Sequence, residues 1–503
     1  MICGSFSPLS GQTEEPSPRV TLAEAIARTL VDNPSVQAQY QLVEQAKGLK
    51  QSAAGAFDWV AFAQVEDETR RGSILPAPIF PGLPTVARRD ATSAAFGVGR
   101  QLGNGITVRP SVAVQSEEEN TSTAPVVTRS DIGVTFGIPL ARGFGRDATE
   151  ADLRAGAIGL EARRELARQE IAGRVSRTAS AYWRCLSAGE RLVLARDTEA
   201  RAEKMMGIIR RLVEGGEIES AVLDEASADF LRRRSNRVDG EQELFEARLG
   251  LGVAMGLAPD ELAEAPVAAE NFPSVVAFDW KAEGMAGLTR LALERRGDLL
   301  AARLNEQVQD AYLRRARNDL RPRFDLSVRA AYTGAALDND GASWEDSLQD
   351  ELTGLNVTAG LSLEWPVRNR AARGEYRRRG AVLREAEINT IELRNAVAAA
   401  AKVAAETVRT SAQQHAIAAE TSASFARVVE NQRAKVANGE ATLTALVQNE
   451  DRYFEARSAE IQLAQAYFTA LVQLREVTGT LIERRAESYE LALEAFAAPP
   501  LAP

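Results

Sequence analysis

The stretch Glu430–Leu446, E-N-Q-R-A-K-V-A-N-G-E-A-T-L-T-A-L, decides how this chain folds. A helical run reaches a tight corner at Asn438-Gly439 and a second helical run starts back from it. Glycine and asparagine accept the left-handed conformation that ends a helix. No proline lies between Pro366 and Pro499, and proline is what a helix interior excludes. The filling is Ala, Glu, Arg, Gln, Leu and Val, mostly strong helix formers. Ala372 to Ala437 is 66 residues, a rod of roughly 100 Å at about 1.5 Å per residue. On the returning arm Ala464, Tyr467, Leu471, Leu474 and Leu481 recur at helical spacing, so that arm carries a broad apolar stripe.

A rod of that length needs neighbours, and the chain supplies them by repetition. Val213, Gly216, Glu217 and Gly256 each lie 223 residues before Val436, Gly439, Glu440 and Gly479. Gly133 and Gly360 stand six residues before Pro139 and Pro366. Agreement over corners, helix ends and strand exits is the signature of an internal repeat. Each half reads helix, strands, very long helix, glycine corner, helix. The first repeat covers 21–257 with strands over 57–138, and the second covers 284–482 with strands over 324–365. Residues 1–20 read as a flexible leader, 258–283 as a connector and 483–503 as a tail.

In order along the chain, Thr21 and Glu24 form a capping box for a helix to Ala54, broken at Asn33-Pro34. The period then changes from helical to two. Trp59, Ala61, Ala63 and Val65 alternate as a strand does, and residues 72–90, with four prolines, read as a loop. Strand text resumes at Thr92–Arg100, turns at Leu102-Gly-Asn-Gly105, and continues through Val108, Val112 and Val114. A polar loop over 116–129 leads to Ile132, Val134, Phe136 and Ile138. A second-half helix, Ala286–Leu320, precedes Phe324, Leu326, Val328, Ala330 and Tyr332. After an acidic loop come Leu355, Val357, Leu361, Leu363 and Trp365. The short helices 21–54 and 220–255 together match the long one in length, which predicts that two short helices lie end to end along each long helix.

Sixty basic and 70 acidic residues leave a net charge of −10, against nucleic acid as the main partner. Cys3 and Cys185 are too far apart in sequence for a disulfide framework or metal spacing. Cys3 reads as an inert cysteine of the leader or as a lipidated terminus; Ile2 is not the small residue expected before a lipidated cysteine. His415 is the one histidine and reads as a helical surface residue. There is no catalytic constellation, no phosphate-binding glycine loop, no cofactor motif and no metal-ligating cluster. No run of 18 apolar residues marks a transmembrane helix. Met1–Arg19 lacks the basic and apolar character of a signal peptide, so either the chain is cytoplasmic or its true start lies upstream.

Alternating segments of about ten residues match a transmembrane β-barrel, with lipid-facing and lumen-facing residues in turn, or a half-buried sheet in a soluble domain; isolated hairpins at the end of long rods favour the barrel. Too few occur in one chain to close a barrel, so subunits must pool them. Three motifs carry a family likeness: T-L-A-E-A-I-A-x-x-L-V-D-N-P-S-V over Thr21–Val36, the strand exit I-P-L-A-R-G-F-G-R over Ile138–Arg146, and the corners V-E-G-G and V-A-N-G. In this order, twice over, the chain resembles a TolC-like outer-membrane efflux protein.

That resemblance implies a mainly α fold with membrane β: an α-helical barrel in the periplasm and a β-barrel completed by trimerisation. It implies a passive duct that exports small molecules or proteins, with a periplasmic adaptor, an inner-membrane transporter and outer-membrane lipid as partners. Val213, Gly215, Gly216 and Glu217, with Val436, Asn438, Gly439 and Glu440, match the adaptor-docking tips. The family's carboxylate gate has no clean counterpart, because Thr444-Ala445-Leu446-Val447-Gln448 stands where aspartates are expected. Glu225, Gln448 and Glu450, with Glu217 and Glu440, are the gate candidates. Four strand segments in the first half, where the family has two, leave open a barrel wider than twelve strands or a hairpin folded outside it. Arg368, Arg370, Arg373 and Arg377–Arg379 follow the second strand exit, and lipid headgroups or solvent are both fitting neighbours. A soluble coiled-coil scaffold is the alternative reading of the long helices.

Overall fold

Helix formers and β-alternation segregate along the chain, and a computed structural model turns them into separate elements. It describes residues 18–500 except 74–85, 120–125, 279, 281, 339–346, 348–353, 438–441, 486–487, 492–495 and 497. The corner residues Asn438, Gly439 and Glu440, and Cys3, lie outside the described residues, as does most of the acidic loop before β8.

The elements follow in order: β1 (Arg19–Val20), α1 (Leu22–Asp32), α2 (Pro34–Ala54), β2 (Val60–Ser73), β3 (Val86–Gln101), β4 (Thr107–Glu119), β5 (Val126–Pro139), the short α3 (Arg146–Thr149), α4 (Ala151–Glu214) and α5 (Ser220–Met255). Then come β6 (Val267–Ala268), α6 (Ala282–Arg295), α7 (Gly297–Asn318), β7 (Arg323–Asp338), β8 (Gly354–Glu364), α8 (Arg370–Ala437), α9 (Leu443–Val477), β9 (Ile482–Arg485) and β10 (Ser488–Leu491). The chain divides into two units. One holds Met1–Val43, Arg163–Ala301 and Thr390–Pro503, the other Glu44–Ala162 and Ala302–Asn389.

The first unit is helical. Its capping box is complete: Glu24 N–H donates to Thr21 Oγ1 at 3.3 Å, and Thr21 N–H to Glu24 Oε2 at 2.9 Å. Ile26, Val36, Ile171, Val175, Leu251, Leu471 and Leu474 share one apolar core. Trp183 stacks on Phe272 and meets Phe468 at 5.0 Å between ring centroids. The segment between the repeats is fastened to this core. Tyr182 Oη donates to Glu270 Oε2 at 2.9 Å and Tyr467 Oη to the Val276 carbonyl at 2.9 Å. Burial raises the pKa of both phenols. Short strands β1 and β6 pair in parallel at Arg19–Val267 and Val20–Ala268. The residues after α9 join in as well, with Phe496 buried and Arg475 donating to the Ala498 and Pro499 carbonyls.

Each half carries the same joint. α5 ends in Gly256 at φ +89, with Leu257 N–H on the Gly252 carbonyl and Gly256 N–H on that of Val253. α9 ends likewise around Gly479 at φ +67, with Thr480 N–H on Arg475 and Gly479 N–H on Glu476. These paired bonds are a Schellman motif, which needs a left-handed residue. Gly256 lies on the α1–α2 break at Asn33, and Gly479 on the α6–α7 break at Arg295–Arg296. The second break corrects the expected unbroken helix Ala286–Leu320. No proline causes it; the Arg295 carbonyl bonds the buried Arg168 guanidinium, which also reaches the Gly479 carbonyl.

Long helix α4 has short helices along it. It meets α5 through Arg191–Glu243 and Arg237–Glu199, α1 through Thr178–Thr29, and α2 through Arg163–Gln39.

The second unit holds one six-stranded sheet in the order β2-β3-β4-β5-β7-β8, every pair antiparallel. Its register aligns the alternation of all six strands. Ala63 pairs with Phe96, Phe96 with Val112, Val112 with Ile132, Ile132 with Tyr332 and Tyr332 with Leu355. The strands run further than their apolar text, correcting the loops read over 72–90 and 116–129. β2 reaches Ser73, β3 starts at Val86, β4 reaches Glu119 and β5 starts at Val126. A strand outside hydrocarbon needs backbone pairing but no apolar side chains, so the hydrophobic pattern marks only part of its length.

Candidate functional site

Two features carry chemistry that matters for function: the apolar face of the sheet, and the helix ends by the corners.

On the sheet, Phe324, Leu326, Val328, Ala330 and Tyr332 share a face with Leu355, Val357, Leu361, Leu363 and the following Trp365. The β8 members are more than 60% exposed, too much apolar surface for water. The opposite face presents Asp325, Ser327, Arg329 and Thr333 from β7, and Asn356, Thr358, Gly360 and Ser362 from β8. One face is therefore fit for hydrocarbon and the other for water. The apolar run from Leu355 to Trp365 is about the ten residues a tilted strand needs to cross a membrane. Trp59 and Trp365 stand where β2 starts and β8 ends, and the Arg100 guanidinium lies 5.9 Å from the Trp59 ring.

Below that face, the turn between β3 and β4 packs on the strand exit. Gly105, at φ +96, lies so close to the Gly143 carbonyl that a side chain there has no room. Gly145 N–H donates to the Asn104 carbonyl at 2.9 Å. Pro139 closes β5 opposite Asp325, whereas Pro366 is exposed after β8. Asn369, the one non-glycine residue at positive φ among those described, caps α8 and donates from Nδ2 to the Leu320 carbonyl at 3.1 Å. In the arginine group beyond it, Arg378 and Arg379 grip Glu375 and hold its carboxyl down at about 2. Arg379 also lies over Tyr312 at 4.7 Å. Arg368, Arg370, Arg373 and Arg377 are exposed.

At the first corner Val213 is half-buried, while Gly215, Gly216 and Glu217 are exposed. Gly216 has φ +74, and the Glu217–Leu212 and Gly216–Val213 bonds form a third Schellman motif. At the second corner Val436 is half-buried, and Thr442 caps α9 by accepting from Ala445 N–H.

The gate candidates differ in exposure. Gln448 is exposed, Glu225 is exposed and accepts from Thr444 Oγ1 at 3.4 Å, and Glu450 is 9% exposed. Glu450 accepts from Arg433 of α8 at 2.6 Å, so its charge is paired rather than displayed. Next to it lies a group the sequence does not announce. Arg233 of α5, 1% exposed, bonds Asp229 at 3.0 Å and Asp451 of α9 at 3.1 Å. Arg232 reaches the same two aspartates, and its bond to Asp451 raises its pKa. A cavity of about 230 Å³ adjoins them, lined by Met205, Ile208, Ala226, Leu446 and Val447 among others. Spacing 218 residues apart left no local signal for this network. The one usable hint is Asp229, four residues before Arg233 on the same helix face.

Among the described residues no group of acids, histidine or cysteine is placed to hold a metal, and no helix is long and apolar enough to cross a membrane. Cys185 is buried, which raises its thiol pKa.

A sheet with one apolar and one polar face in one unit, and in the other long helices of which α4 ends in a glycine-capped corner, are the features of the TolC-like channel fold. The chain belongs to the outer membrane efflux protein family, whose pattern matches residues 86–257 and 288–480. Solved structures agree on the fold. The outer-membrane channel OprN superposes with a TM-score of 0.65 at 15% identity, over 92% of this chain and 90% of that one. CusC gives 0.64 at 14%, over 95% and 96%. The CmeC outer membrane channel of Campylobacter jejuni gives 0.62 at 12%, over 95% and 94%. A comparison with curated protein sequences finds no match.

Proposed function

We propose that this chain is one protomer of a homotrimeric outer-membrane duct, a passive conduit from a periplasmic adaptor and inner-membrane transporter to the exterior. The observation that carries the reading is the continuous apolar face across the sheet, from Ala63 on β2 to Leu355 on β8. A soluble scaffold has no use for that face, whereas a barrel wall requires it. The small and exposed corner residues Gly215, Gly216 and Glu217, with Val436 and its neighbours Asn438, Gly439 and Glu440, are the docking surface for the adaptor. Basic side chains Arg368, Arg370, Arg373 and Arg377 face lipid headgroups. Gating works by loosening the ion pairs that tie α5, α8 and α9 together: Arg232 and Arg233 with Asp229 and Asp451, and Arg433 with Glu450. Glu225 and Gln448 stand exposed on the same helices for contact with permeating solutes.

Fractionation of cells expressing the chain behind its native upstream sequence tests this. The expected result is a detergent-extracted trimer from the outer membrane. A soluble monomer in the cytoplasm overturns it and favours the scaffold.

A further inference from the structure

Among the described residues the sheet ends in two edge strands, β2 and β8. β2 is exposed over nearly its whole length, and so is β8 after Gly354. An unpaired edge leaves every second backbone N–H and C=O without a partner, which water tolerates and hydrocarbon does not. Neither edge carries a protecting charge within its apolar run, Trp59–Val65 on β2 and Leu355–Trp365 on β8, on the face turned to lipid. Both edges therefore call for a strand.

Strand direction says which one. Five antiparallel pairings separate β2 from β8, so the two run in opposite senses. With the same face outward, β8 of one copy meets β2 of the next as an antiparallel pair. This is a head-to-tail contact between unlike surfaces, the kind that closes a ring. Side chains narrow the register, because a slip of one residue would turn every apolar group of β2 inward. Outward residues are odd-numbered on both strands, so odd must oppose odd. Setting Trp59 level with Trp365 brings the small Ala61 and Ala63 opposite the large Leu363 and Leu361. It aligns the two tryptophans in one belt and sets Gln64 opposite Gly360 on the lumen side.

The first-half hairpin is part of this wall. β3 pairs with β4 from Gln101–Thr107 to Arg89–Glu119, as long a run as β4 makes with β5. Ala94, Phe96 and Val98 continue the outer apolar face. We propose that β2 of each protomer pairs with β8 of the next, Gln64 against Gly360, so that three copies of the six-stranded sheet close an eighteen-stranded barrel. This rests on the trimeric duct proposed above. At about 4.8 Å between strands and a tilt of about 40°, such a barrel is roughly 35 Å across, against about 24 Å for twelve strands. The wider wall suits a bulky or folded cargo at the outer membrane.

Disulfide trapping of the full-length chain in isolated outer membranes tests the seam. Gln64→Cys with Gly360→Cys is the reporter pair; a side chain at Gly360 meets nothing within 4 Å. After mild copper oxidation the double variant is expected to give covalent dimers and trimers on a denaturing gel, lost on reduction and absent from either single variant. Gln64→Cys with Ala95→Cys, partners within one sheet, is the positive control for oxidation and yields monomer only. A native trimer that oxidises the control pair but gives no ladder from the reporter pair overturns the seam. So does a ladder from Ser111→Cys with Gly360→Cys, which would put β4 at the junction and the β2–β3 hairpin outside. Loss of the native trimer itself refutes the duct reading, and is visible separately on a native gel.

Discussion

The guanidinium of Arg233, 1% exposed on α5, is held at 3.1 Å by Asp451 of α9, 218 residues further along the chain. Asp229 holds it from its own helix at 3.0 Å. Removing both hydrogen-bonded acids leaves the buried guanidinium only the Glu450 carboxylate at 3.8 Å, and breaking a buried ion pair costs about 3–5 kcal/mol. Asp229→Asn combined with Asp451→Asn should therefore lower the melting temperature of the purified protein and increase entry of a bulky dye into cells. Arg233→Met with the same two changes should recover most of the stability but not the dye exclusion. Dye entry unchanged in both would remove the network from gating.

Three glycines at left-handed φ separate backbone strain from crowding. Gly216 has φ +74 with open space around its Cβ position, so Gly216→Ala should cost about 1–2 kcal/mol. At Gly256 a Cβ would stand 2.6 Å from Asn33 Cα, and at Gly479 2.7 Å from the Arg295 carbonyl oxygen. Gly256→Ala and Gly479→Ala must also push a backbone aside, and should destabilise more than Gly216→Ala in thermal denaturation. Equal losses at all three would mean the joints yield without cost.

The two faces of β8 should answer differently to charge. Leu361, 66% exposed, lies on the apolar face, and Thr358 on the polar one. Leu361→Arg is expected to cost about 2–4 kcal/mol of membrane stability, and Thr358→Arg little. Recovery of heat-modifiable trimer from outer membranes measures both.

His415 gives a pH prediction with a defined sign. Burial lowers its pKa below the ordinary 6.5, with Arg457 acting the same way and Glu460 against it. The folded chain keeps the imidazole neutral where the unfolded chain binds a proton. Its stabilising contribution is thus full above about pH 6.5 and is lost as the pH falls through the lowered folded value. The single histidine resonance should titrate with a midpoint below 6.5, and His415→Gln should flatten the acid limb of the melting temperature. A midpoint at or above 6.5 contradicts the burial argument.

Much of the fold was legible because helix, corner and strand are written locally. Proline-free runs, the Thr21–Glu24 box, Gly216, and the 223-residue match of Gly256 to Gly479 each fix backbone dihedrals within a few residues, and the structure has the same motif at both ends of that match. Alternation named an apolar face on five of the six strands before any pairing was known, and on the Thr92–Arg100 strand the face followed only from the register.

Other features depended on which distant residues meet. At the break by Arg296, Arg168 and Gly479 converge on the Arg295 carbonyl, and Gly297 packs against the Glu165 carbonyl with no room for a side chain. Glu450, a gate candidate by position, is turned to Arg433, while Arg233 found its acids on two helices. The first-half hairpin, compatible in sequence with lying in the wall or outside it, joined the sheet through the β3–β4 register. Periodicity reports the geometry of one element, and sequence alone determined that much here. Register and charge pairing are set by packing between elements, so only the tertiary structure decided the strand count of the sheet and the partners of its buried charges.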